Sequence, residues 1–357
     1  MGLFFNKRNV KPVFVGSYGN DLTRGMYVFH LDVDNGEFLK KKYYKSLANP
    51  TAMFKRERFI YVCYKNNTGR KTDGGLWQYA SMELQFGLAG KATDGGKTYM
   101  DCFVNENRSN AYAVDYYNGE VVRIPILKQK IVTVAQRIKH EGSSVDPKRQ
   151  TEAHPHFIDE TPDHKKIFVC DLGTDEVVIY NLDDKGALER DEENTFKVKP
   201  GSGPKKMVFA PNGKYSYVLN ELSNTICVYQ YQDGHFTFIQ EVDTYPKDEF
   251  AKENLAGDIV ISEKGDYLFV TNRGHDSIVA FEVKEDGQLE YIEYLDTDEN
   301  PRAMILVNDR WLVVASQKGG TIESFELKRG ESKGVLFESH FSYMVGEPVC
   351  LIEGRGI

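Results

Sequence analysis

The chain has 357 residues, of which 41% are hydrophobic and 27% charged, and its formal net charge is −8. This acidic balance argues against nonspecific binding to nucleic acid or to an anionic membrane, because both need a basic surface. No apolar run reaches the roughly 18 residues of a membrane helix, and the start, MGLFFNKRNVKP, holds no signal-peptide core. The five cysteines are far apart, which favours a reducing cytoplasm and argues against a disulfide framework.

Short runs rich in aromatic and β-branched residues recur along the chain. In chain order they include VFVGSY, FIYVCY, KIFVCDL, YSYVLNE, YLFVTNR and WLVVAS. Such runs predict β-strands, and the Asn-Gly and Asp-Gly pairs between them predict tight hairpin turns. The sequence therefore predicts an all-β protein, with only a short helical excursion near residues 247–255.

These runs belong to a repeat. A proline, or a residue that replaces it, precedes an apolar strand at seven nearly evenly spaced points along the chain. These first markers are Pro50, Tyr99, Pro155, Pro204, Ala256, Pro301 and Pro348. A second marker, often Asp or Asn, ends the next strand at a nearly constant distance from the first, and two more strands follow. Four strands in about 50 residues, repeated seven times, predict a seven-bladed β-propeller.

The phase of the repeat predicts how the ring closes. The chain begins inside a repeat, because VFVGSY, MYVFHL and EFLKKKYY have no first strand before them, and EPVCLIEG adds an extra first strand after the seventh unit. We therefore expect residues 348–353 to pair with residues 13–17, which removes open strand edges. An open array of the same units is the alternative. Since no linker interrupts the period, residues 1–357 are expected to form a single domain.

The two sets of markers also predict a functional face. The first strand of a propeller blade lines the central channel and the second runs back antiparallel, so both markers lie at the same mouth. The residues that follow the markers include His156, Glu221 and four cations, Lys65, Lys205, Arg273 and Arg302. Within two residues of these lie His154, Lys206, Asp258 and His275. A local excess of cations in an acidic protein predicts an anionic ligand.

Each of these residues also has a purely structural interpretation, as a loop hydrogen-bonding group, an ion-pair partner, a bridge between blades or a solvated charge. His154 and His156 form the one close histidine pair, which is weak support for a metal, so neither a metal nor a cofactor is predicted. The sequence has neither a serine nucleophile elbow nor a phosphate-binding glycine loop.

Four motifs in order resemble a known family. They are HPH at 154–156, PGSGP at 200–204, NELSNT at 220–225 and NRGHDSI at 272–278. Together they resemble the seven-bladed lactonase propellers, which include propeller-type 6-phosphogluconolactonase and the fungal carboxy-cis,cis-muconate lactonising enzyme. The resemblance implies that His156 (or His154), Glu221 and Arg273 are the catalytic residues.

The sequence departs from the family pattern at two points. Lys205 and Lys206 replace the usual Arg-His after PGSGP, and lysine keeps the charge but loses the bidentate fork of arginine. Asp101 stands where the family tends to have the histidine of Pro-Cys-His. Both departures lie in the region that faces the substrate, so the substrate is the property that they put in question.

The resemblance implies hydrolysis of a small anionic sugar lactone, with 6-phosphogluconolactone of the pentose phosphate pathway as the leading substrate. His156 or Glu221 would accept the proton of the attacking water, and Arg273 would stabilise the charge on the carbonyl oxygen. The predicted substrate-binding residues are His154, Lys205, Lys206, His275, Arg302, Asp101 and Lys65.

Two other functions remain open from the sequence. One is a muconate-type cyclase, which opens or closes a lactone by proton transfer without consuming water. The other is a non-catalytic propeller that binds protein partners on a flat, apolar face. For all three functions we expect a cytoplasmic monomer or weak homo-oligomer, with neither a nucleic-acid nor a membrane partner.

Overall fold

The computed structural model describes residues 9–19, 25–44, 49–82, 85–246, 253–330 and 334–354. In these residues the strands form seven antiparallel sheets, the blades of the predicted propeller, and one 3-10 helix spans Asp94–Gly96. The helical excursion predicted near residues 247–255 falls mainly on residues 247–252, which lie outside the described residues. None of the described helices is long and apolar enough to cross a membrane.

In the first four blades the strands follow chain order from the channel outward. The exception is the C-terminal strand, which is the innermost strand of blade 1. Blade 1 contains β1 (Val10–Tyr18), β2 (Gly25–Asp32), β3 (Phe38–Tyr44) and, from the end of the chain, β30 (Glu347–Glu353). Blade 2 contains β4 (Asn49–Arg56), β5 (Phe59–Lys65), β6 (Gly75–Met82) and β7 (Gln85–Ala92). Blade 3 contains β8 (Asp101–Val104), β9 (Asn110–Asp115), β10 (Glu120–Leu127), β11 (Lys130–Ile131) and β12 (Gln136–Lys139). Blade 4 contains β13 (Pro155–Glu160), β14 (Lys166–Asp171), β15 (Glu176–Leu182), β16 (Leu188–Arg190) and β17 (Phe196–Lys197).

The remaining three blades each have four strands. Blade 5 contains β18 (Pro204–Phe209), β19 (Tyr215–Asn220), β20 (Thr225–Gln232) and β21 (His235–Asp243). Blade 6 contains β22 (Leu255–Ile261), β23 (Tyr267–Arg273), β24 (Ser277–Val283) and β25 (Leu289–Asp296). Blade 7 contains β26 (Pro301–Val307), β27 (Trp311–Ser316), β28 (Thr321–Leu327) and β29 (Leu336–Met344).

Blades 3 and 4 depart from the expected four strands, because the outermost strand of each is broken into two short pieces. In blade 4 the break is a turn in which the amide nitrogen of Asn194 donates to the Asp191 carboxylate at 3.3 Å. The hydroxyl of Thr195 accepts the Ile179 N–H at 3.1 Å, where a continuous strand would offer a backbone carbonyl. Side chains thus satisfy the backbone at the break.

Burial explains why the second strand of each blade is the most apolar. The strands β9, β14, β23 and β27 are buried along nearly their whole length, because both faces of a blade pack against neighbouring blades. The hydrophobic clusters accordingly mix two blades, as where Phe269 of blade 6 meets Leu312 of blade 7. The outer strand β29 is mostly exposed.

The C-terminal strand closes the ring, as the phase of the repeat predicted. β30 pairs antiparallel with β1, with Val13 opposite Glu353 and Ser17 opposite Pro348. Blades 1 and 7 also share one hydrophobic cluster, and the indole nitrogen of Trp311 donates to the Val33 carbonyl at 2.8 Å. Closure therefore joins the two ends of the described chain by both hydrogen bonds and apolar packing.

The two markers of the repeat face each other across the first two strands of a blade. The cross-strand pairs are Pro50 with Tyr64, Pro155 with Asp171, Pro204 with Asn220, Ala256 with Asn272, and Pro301 with Ser316. The residues that follow the markers consequently lie at one mouth of the central channel.

Candidate active site at the channel mouth

A β-bulge places the residue after each first marker. In five blades the strand register skips one residue just inside the mouth, and the skipped residues are Thr51, His156, Lys205, Arg302 and Val349. A bulge leaves one residue out of the hydrogen-bond ladder and re-aims its side chain. All five line a channel of about 630 Å³ formed by the innermost strands. The residues skipped by these bulges thus form a ring on the channel wall.

Glu221 is the centre of the charged cluster at this mouth. One carboxylate oxygen, Oε2, lies 2.8 Å from Lys205 Nζ and 2.6 Å from Arg273 Nη2. The other, Oε1, lies 2.6 Å from Arg149 Nη2. The Glu221 side chain is only 3% exposed, so three cations converge on one buried carboxylate. The cluster carries a net positive charge, which suits an anionic ligand.

The cations decide the protonation state of Glu221. Burial alone would raise the pKa of this carboxyl, but the cations Arg273, Lys205 and Arg149 together hold the pKa well below its usual range. Glu221 is therefore ionised at neutral pH. Since both of its oxygens already contact cations, it orients those cations and is a weak proton acceptor.

His156 lies on the channel wall, one residue after Pro155. Burial, with a further contribution from Lys205, lowers the pKa of His156 to about 3. Its ring meets the Tyr116 ring edge-on, with the centroids 5.8 Å apart. The imidazole is consequently neutral at physiological pH, with a nitrogen lone pair that can accept a proton.

Lys205 has an unusually acidic ammonium for a lysine. Burial and the nearby Arg273 lower the pKa of Lys205 to about 7, although Glu221 acts in the opposite direction. The Lys205 side chain is 10% exposed and the Arg273 side chain 12%. Arg273 also donates to the Ala256 carbonyl at 3.0 Å, which fixes its guanidinium at the start of blade 6.

Arg302 enters the mouth from blade 7. Its Nη1 donates to Gln317 Oε1 at 2.9 Å, and its guanidinium lies 5.6 Å from the centre of the Tyr18 ring. Lys65 Nζ lies 5.9 Å from the centre of the same ring. Burial raises the pKa of Tyr18 to about 12, so this tyrosine keeps its proton. Tyr18 thus connects two of the predicted substrate-binding cations.

The two remaining histidines have different neighbours. The His154 ring stacks on Tyr116 with centroids 4.3 Å apart, and its Nδ1 lies 2.9 Å from the Tyr116 carbonyl oxygen. His275 Nδ1 lies 2.7 Å from the Ser277 hydroxyl, and its ring meets Tyr294 of the outer strand β25. Neither histidine lines the channel. The structure therefore places His156 at the channel wall, whereas the other predicted residues that lie beside the channel are His154, His275, Lys65, Glu221 and Arg273.

Lys206 and Asp101 lie deeper along the channel wall. Lys206 Nζ lies 2.7 Å from Asp258 Oδ1, so this lysine pairs with a carboxylate of the next blade. Asp101 Oδ2 accepts the Ile158 N–H at 3.2 Å, and burial raises the pKa of Asp101 to about 7. These residues form a second polar level below the cations of the mouth.

The chain matches the family described as "Lactonase, 7-bladed beta-propeller" over residues 12–353. The chain belongs to this lactonase family. A 6-phosphogluconolactonase of Bacillus subtilis is 31% identical over 352 residues, which cover 95% of this chain and 97% of that protein. The family match runs through every blade and spans all of the residues that contact Glu221.

Solved structures of similar proteins agree with this lactonase fold. A Bacteroides fragilis protein, provisionally named a 6-phosphogluconolactonase, superposes with a TM-score of 0.87 at 28% identity, covering 97% of this chain and 98% of that one. The periplasmic gluconolactonase of Pseudomonas aeruginosa superposes with a TM-score of 0.89 at 24% identity, covering 97% and 99%. The latter likeness supports the fold alone.

Two features of the candidate site were missed in the sequence. Arg149 lies in the connection between blades 3 and 4, outside the repeat. It follows no marker, so its position in the sequence did not indicate that it belongs to the site. The other is a buried row of hydrogen-bonded side chains. In it His140 Nδ1 lies 2.7 Å from Asp171 Oδ2, and His140 Nε2 lies 2.6 Å from the Tyr180 hydroxyl. Asp171 Oδ1 accepts the His154 N–H at 2.7 Å, so these hydrogen-bonded side chains hold the backbone of the HPH segment in place.

One group with metal-ligand character lies at the far end of the channel. Glu106, Glu160 and His164 each bring a potential ligand atom within 4.8 Å of the others. Arg56 already contacts Glu106 at 2.7 Å and Glu160 at 3.4 Å, so one cation is shared by the two carboxylates. Glu160 ends β13, whereas His156 lies near its start, so this group is separate from the cationic mouth.

Proposed function

We propose that the protein hydrolyses a small lactone that carries an anionic group, with 6-phosphogluconolactone as the leading substrate. The observation that carries the proposal is the buried Glu221 carboxylate with Lys205, Arg273 and Arg149 around it at a channel mouth. The named activity of the Bacillus subtilis relative supports the choice of substrate.

In the proposed reaction, water adds to the lactone carbonyl carbon and the bond from that carbon to the ring oxygen breaks. The proton of the water reaches the ring oxygen, so the product is the open hydroxy acid. Negative charge develops on the carbonyl oxygen, and we assign its stabilisation to Arg273.

We assign proton acceptance from the water to His156. It is neutral at physiological pH, whereas both oxygens of Glu221 are occupied by cations. An imidazole with a pKa of about 3 is a weak base, but part of that depression comes from Lys205, Arg302 and Arg273. An anionic substrate offsets the field of these cations and so raises the basicity of His156.

Lys205 and Arg302 orient the anionic substrate in this proposal. Both are skipped by bulges and both line the channel. Arg302 is always charged, whereas Lys205, with a pKa of about 7, is partly protonated at neutral pH and gains its proton more readily beside an anion. Holding the lactone in one orientation beside the water lowers the entropic cost of the attack. Lys206, Asp101 and Lys65 then contribute to the wall and rim, while His154 supports Tyr116.

A substrate panel tests the proposal. Purified protein is assayed with 6-phosphogluconolactone, with plain gluconolactone and with a neutral lactone, each corrected for its spontaneous hydrolysis. The proposal expects acceleration that is largest for the phosphorylated compound. Rates that never exceed the spontaneous ones would favour a non-catalytic binding module, and turnover without consumption of water would favour the cyclase.

A further inference from the structure

Arg149 comes from a part of the chain that the propeller repeat does not generate. It lies in the blade 3–4 connection (residues 140–154), yet its Nη2 reaches Glu221 of blade 5 at 2.6 Å. We propose that Arg149 recognises the remote oxyanionic group of the substrate and so determines the preference for a phosphorylated over a plain lactone. This inference rests on the proposed lactone hydrolysis.

The connection that carries Arg149 is an ordered structure held by named contacts. The Gln150 side-chain amide donates to the Leu172 carbonyl at 2.9 Å, and the Ser144 hydroxyl donates to Asp175 Oδ2 at 2.5 Å. Asp146 Oδ1 accepts the Arg149 N–H at 2.9 Å. The guanidinium is therefore presented from a fixed loop, as recognition of a defined anion requires.

Asp175 links this connection to the loop that precedes Lys205. Its Oδ1 accepts the Gly203 N–H at 2.6 Å, and its Oδ2 accepts the Gly201 N–H at 2.7 Å as well as the Ser144 hydroxyl. One carboxylate thus holds both the segment of Arg149 and the PGSGP turn in front of Lys205. The relative position of these two cations is set by that carboxylate.

Exposure separates Arg149 from the other two cations that contact Glu221. Its side chain is 35% exposed, compared with 12% for Arg273 and 10% for Lys205. Arg273 and Lys205 share Glu221 Oε2, whereas Arg149 contacts Oε1. The Arg149 side chain also hydrogen-bonds the Tyr116 side chain. Of the cations that contact Glu221, Arg149 is therefore the most accessible to an anionic group that enters from solvent.

The chemistry of arginine suits this role. A guanidinium binds phosphate oxygens through two parallel N–H donors and keeps its charge at every physiological pH. Ion pairing with Glu221 raises the pKa of Arg149 further, against the effect of burial. A plain lactone offers this cation hydroxyl groups but no charged group, so loss of Arg149 should affect the phosphorylated substrate more.

The test compares Arg149→Gln and Arg149→Lys with Lys148→Gln, a loss of the same charge at the exposed neighbouring residue. The values of kcat and KM are measured with 6-phosphogluconolactone and with gluconolactone. For Arg149→Gln we expect the ratio of the two kcat/KM values to fall about 10- to 100-fold, mainly through KM of the phosphorylated substrate. The ratio for Arg149→Lys should lie between those of wild type and Arg149→Gln. Lys148→Gln should keep the wild-type ratio. Equal losses for both lactones would overturn the inference.

A binding measurement separates this inference from the proposed function. Calorimetric titration with 6-phosphogluconate and with gluconate needs no turnover. We expect Arg149→Gln to weaken binding of 6-phosphogluconate at least tenfold more than binding of gluconate, with thermal unfolding as the check that the variant folds. If the wild type hydrolyses no lactone but shows this pattern, the proposed function fails and the recognition role stands. Binding that is insensitive to Arg149, or no binding of either acid, would contradict the recognition role itself.

Discussion

Lys205 Nζ lies 2.8 Å from Glu221 Oε2, and the strand register explains why. Pro204 and Asn220, the residues that precede them, are direct cross-strand partners at the mouth. The bulge takes Lys205 out of the hydrogen-bond ladder, and Glu221 begins the turn that follows β19. Both residues therefore lie outside the ladder at the same end of the hairpin, which brings their side chains together. The ion pair at the centre of the candidate site is thus a consequence of the repeat.

Removing the charge of Glu221 should destabilise the fold. Glu221→Gln keeps the shape of the side chain but leaves three cations around a neutral amide, and breaking a buried charge network in this way typically costs about 3–5 kcal/mol. Urea unfolding measures the loss. Glu189→Gln, at an exposed glutamate of β16, is the matched control and should change stability by less than about 0.5 kcal/mol. An equally small effect of Glu221→Gln would contradict the proposed network.

Arg273 and Arg302 should affect different kinetic constants. Arg273→Ala removes a donor that faces charge formed only in the transition state, so kcat should fall on the order of 100-fold or more. Arg302→Ala removes an orienting cation that acts on ground state and transition state alike, so KM should rise with a smaller change in kcat. Steady-state assays with 6-phosphogluconolactone distinguish the two. A large loss of kcat in Arg302→Ala alone would reverse the assignment.

Asp101 should make stability depend on pH. Burial raises its pKa from the usual 3.8 to about 7, so between these values the folded protein keeps a proton that the unfolded chain releases. The stability from this group is complete below about pH 4 and is lost as the pH rises through 7. Asp101→Asn should therefore gain stability relative to wild type on going from pH 4 to pH 8.

Thermal unfolding at the two pH values measures this gain. Asp184→Asn, at an exposed aspartate, should show no such difference. An Asp101→Asn effect of equal size at pH 4 and pH 8 would mean that the carboxyl is not perturbed by burial.

The closure of the ring makes its own prediction. A Cβ added at Gly16 would lie 2.3 Å from Cys350 Sγ and 3.1 Å from Pro50, so Gly16→Ala forces β1, β30 and β4 apart. Overpacking of this kind typically costs about 1–3 kcal/mol. Gly87→Ala is the control, because a Cβ there meets nothing within 4 Å. Unchanged stability in both variants would argue against the tight junction of β1 with β30.

The fold followed closely from the sequence because its markers are structural partners. Pro155 pairs with Asp171 and Pro301 with Ser316, so the nearly constant spacing between the two markers reports the length of one hairpin. The displaced phase likewise predicted that β30 would join β1. What the repeat did not predict is the breaking of the outer strands in blades 3 and 4, since there side chains such as Thr195 replace the backbone ladder.

The residues of the candidate site could be predicted only where they follow a marker of the repeat. Lys205, Glu221 and Arg273 meet because each follows a marker. Arg149 was missed because it lies in a non-repeating connection, although the interval from Tyr99 to Pro155 is the longest between first markers and indicated an insertion there. Spacing could also not show that His275 turns toward Tyr294, away from the channel.

The most direct test of the account is the initial rate of 6-phosphogluconolactone opening by purified wild-type protein, measured beside the spontaneous rate and beside Arg273→Ala. The account predicts that wild type exceeds the spontaneous rate, that the rate scales with protein concentration, and that Arg273→Ala loses on the order of 100-fold or more of the enzymatic part. A wild-type rate equal to the spontaneous one, or a folded Arg273→Ala variant as active as wild type, would contradict it.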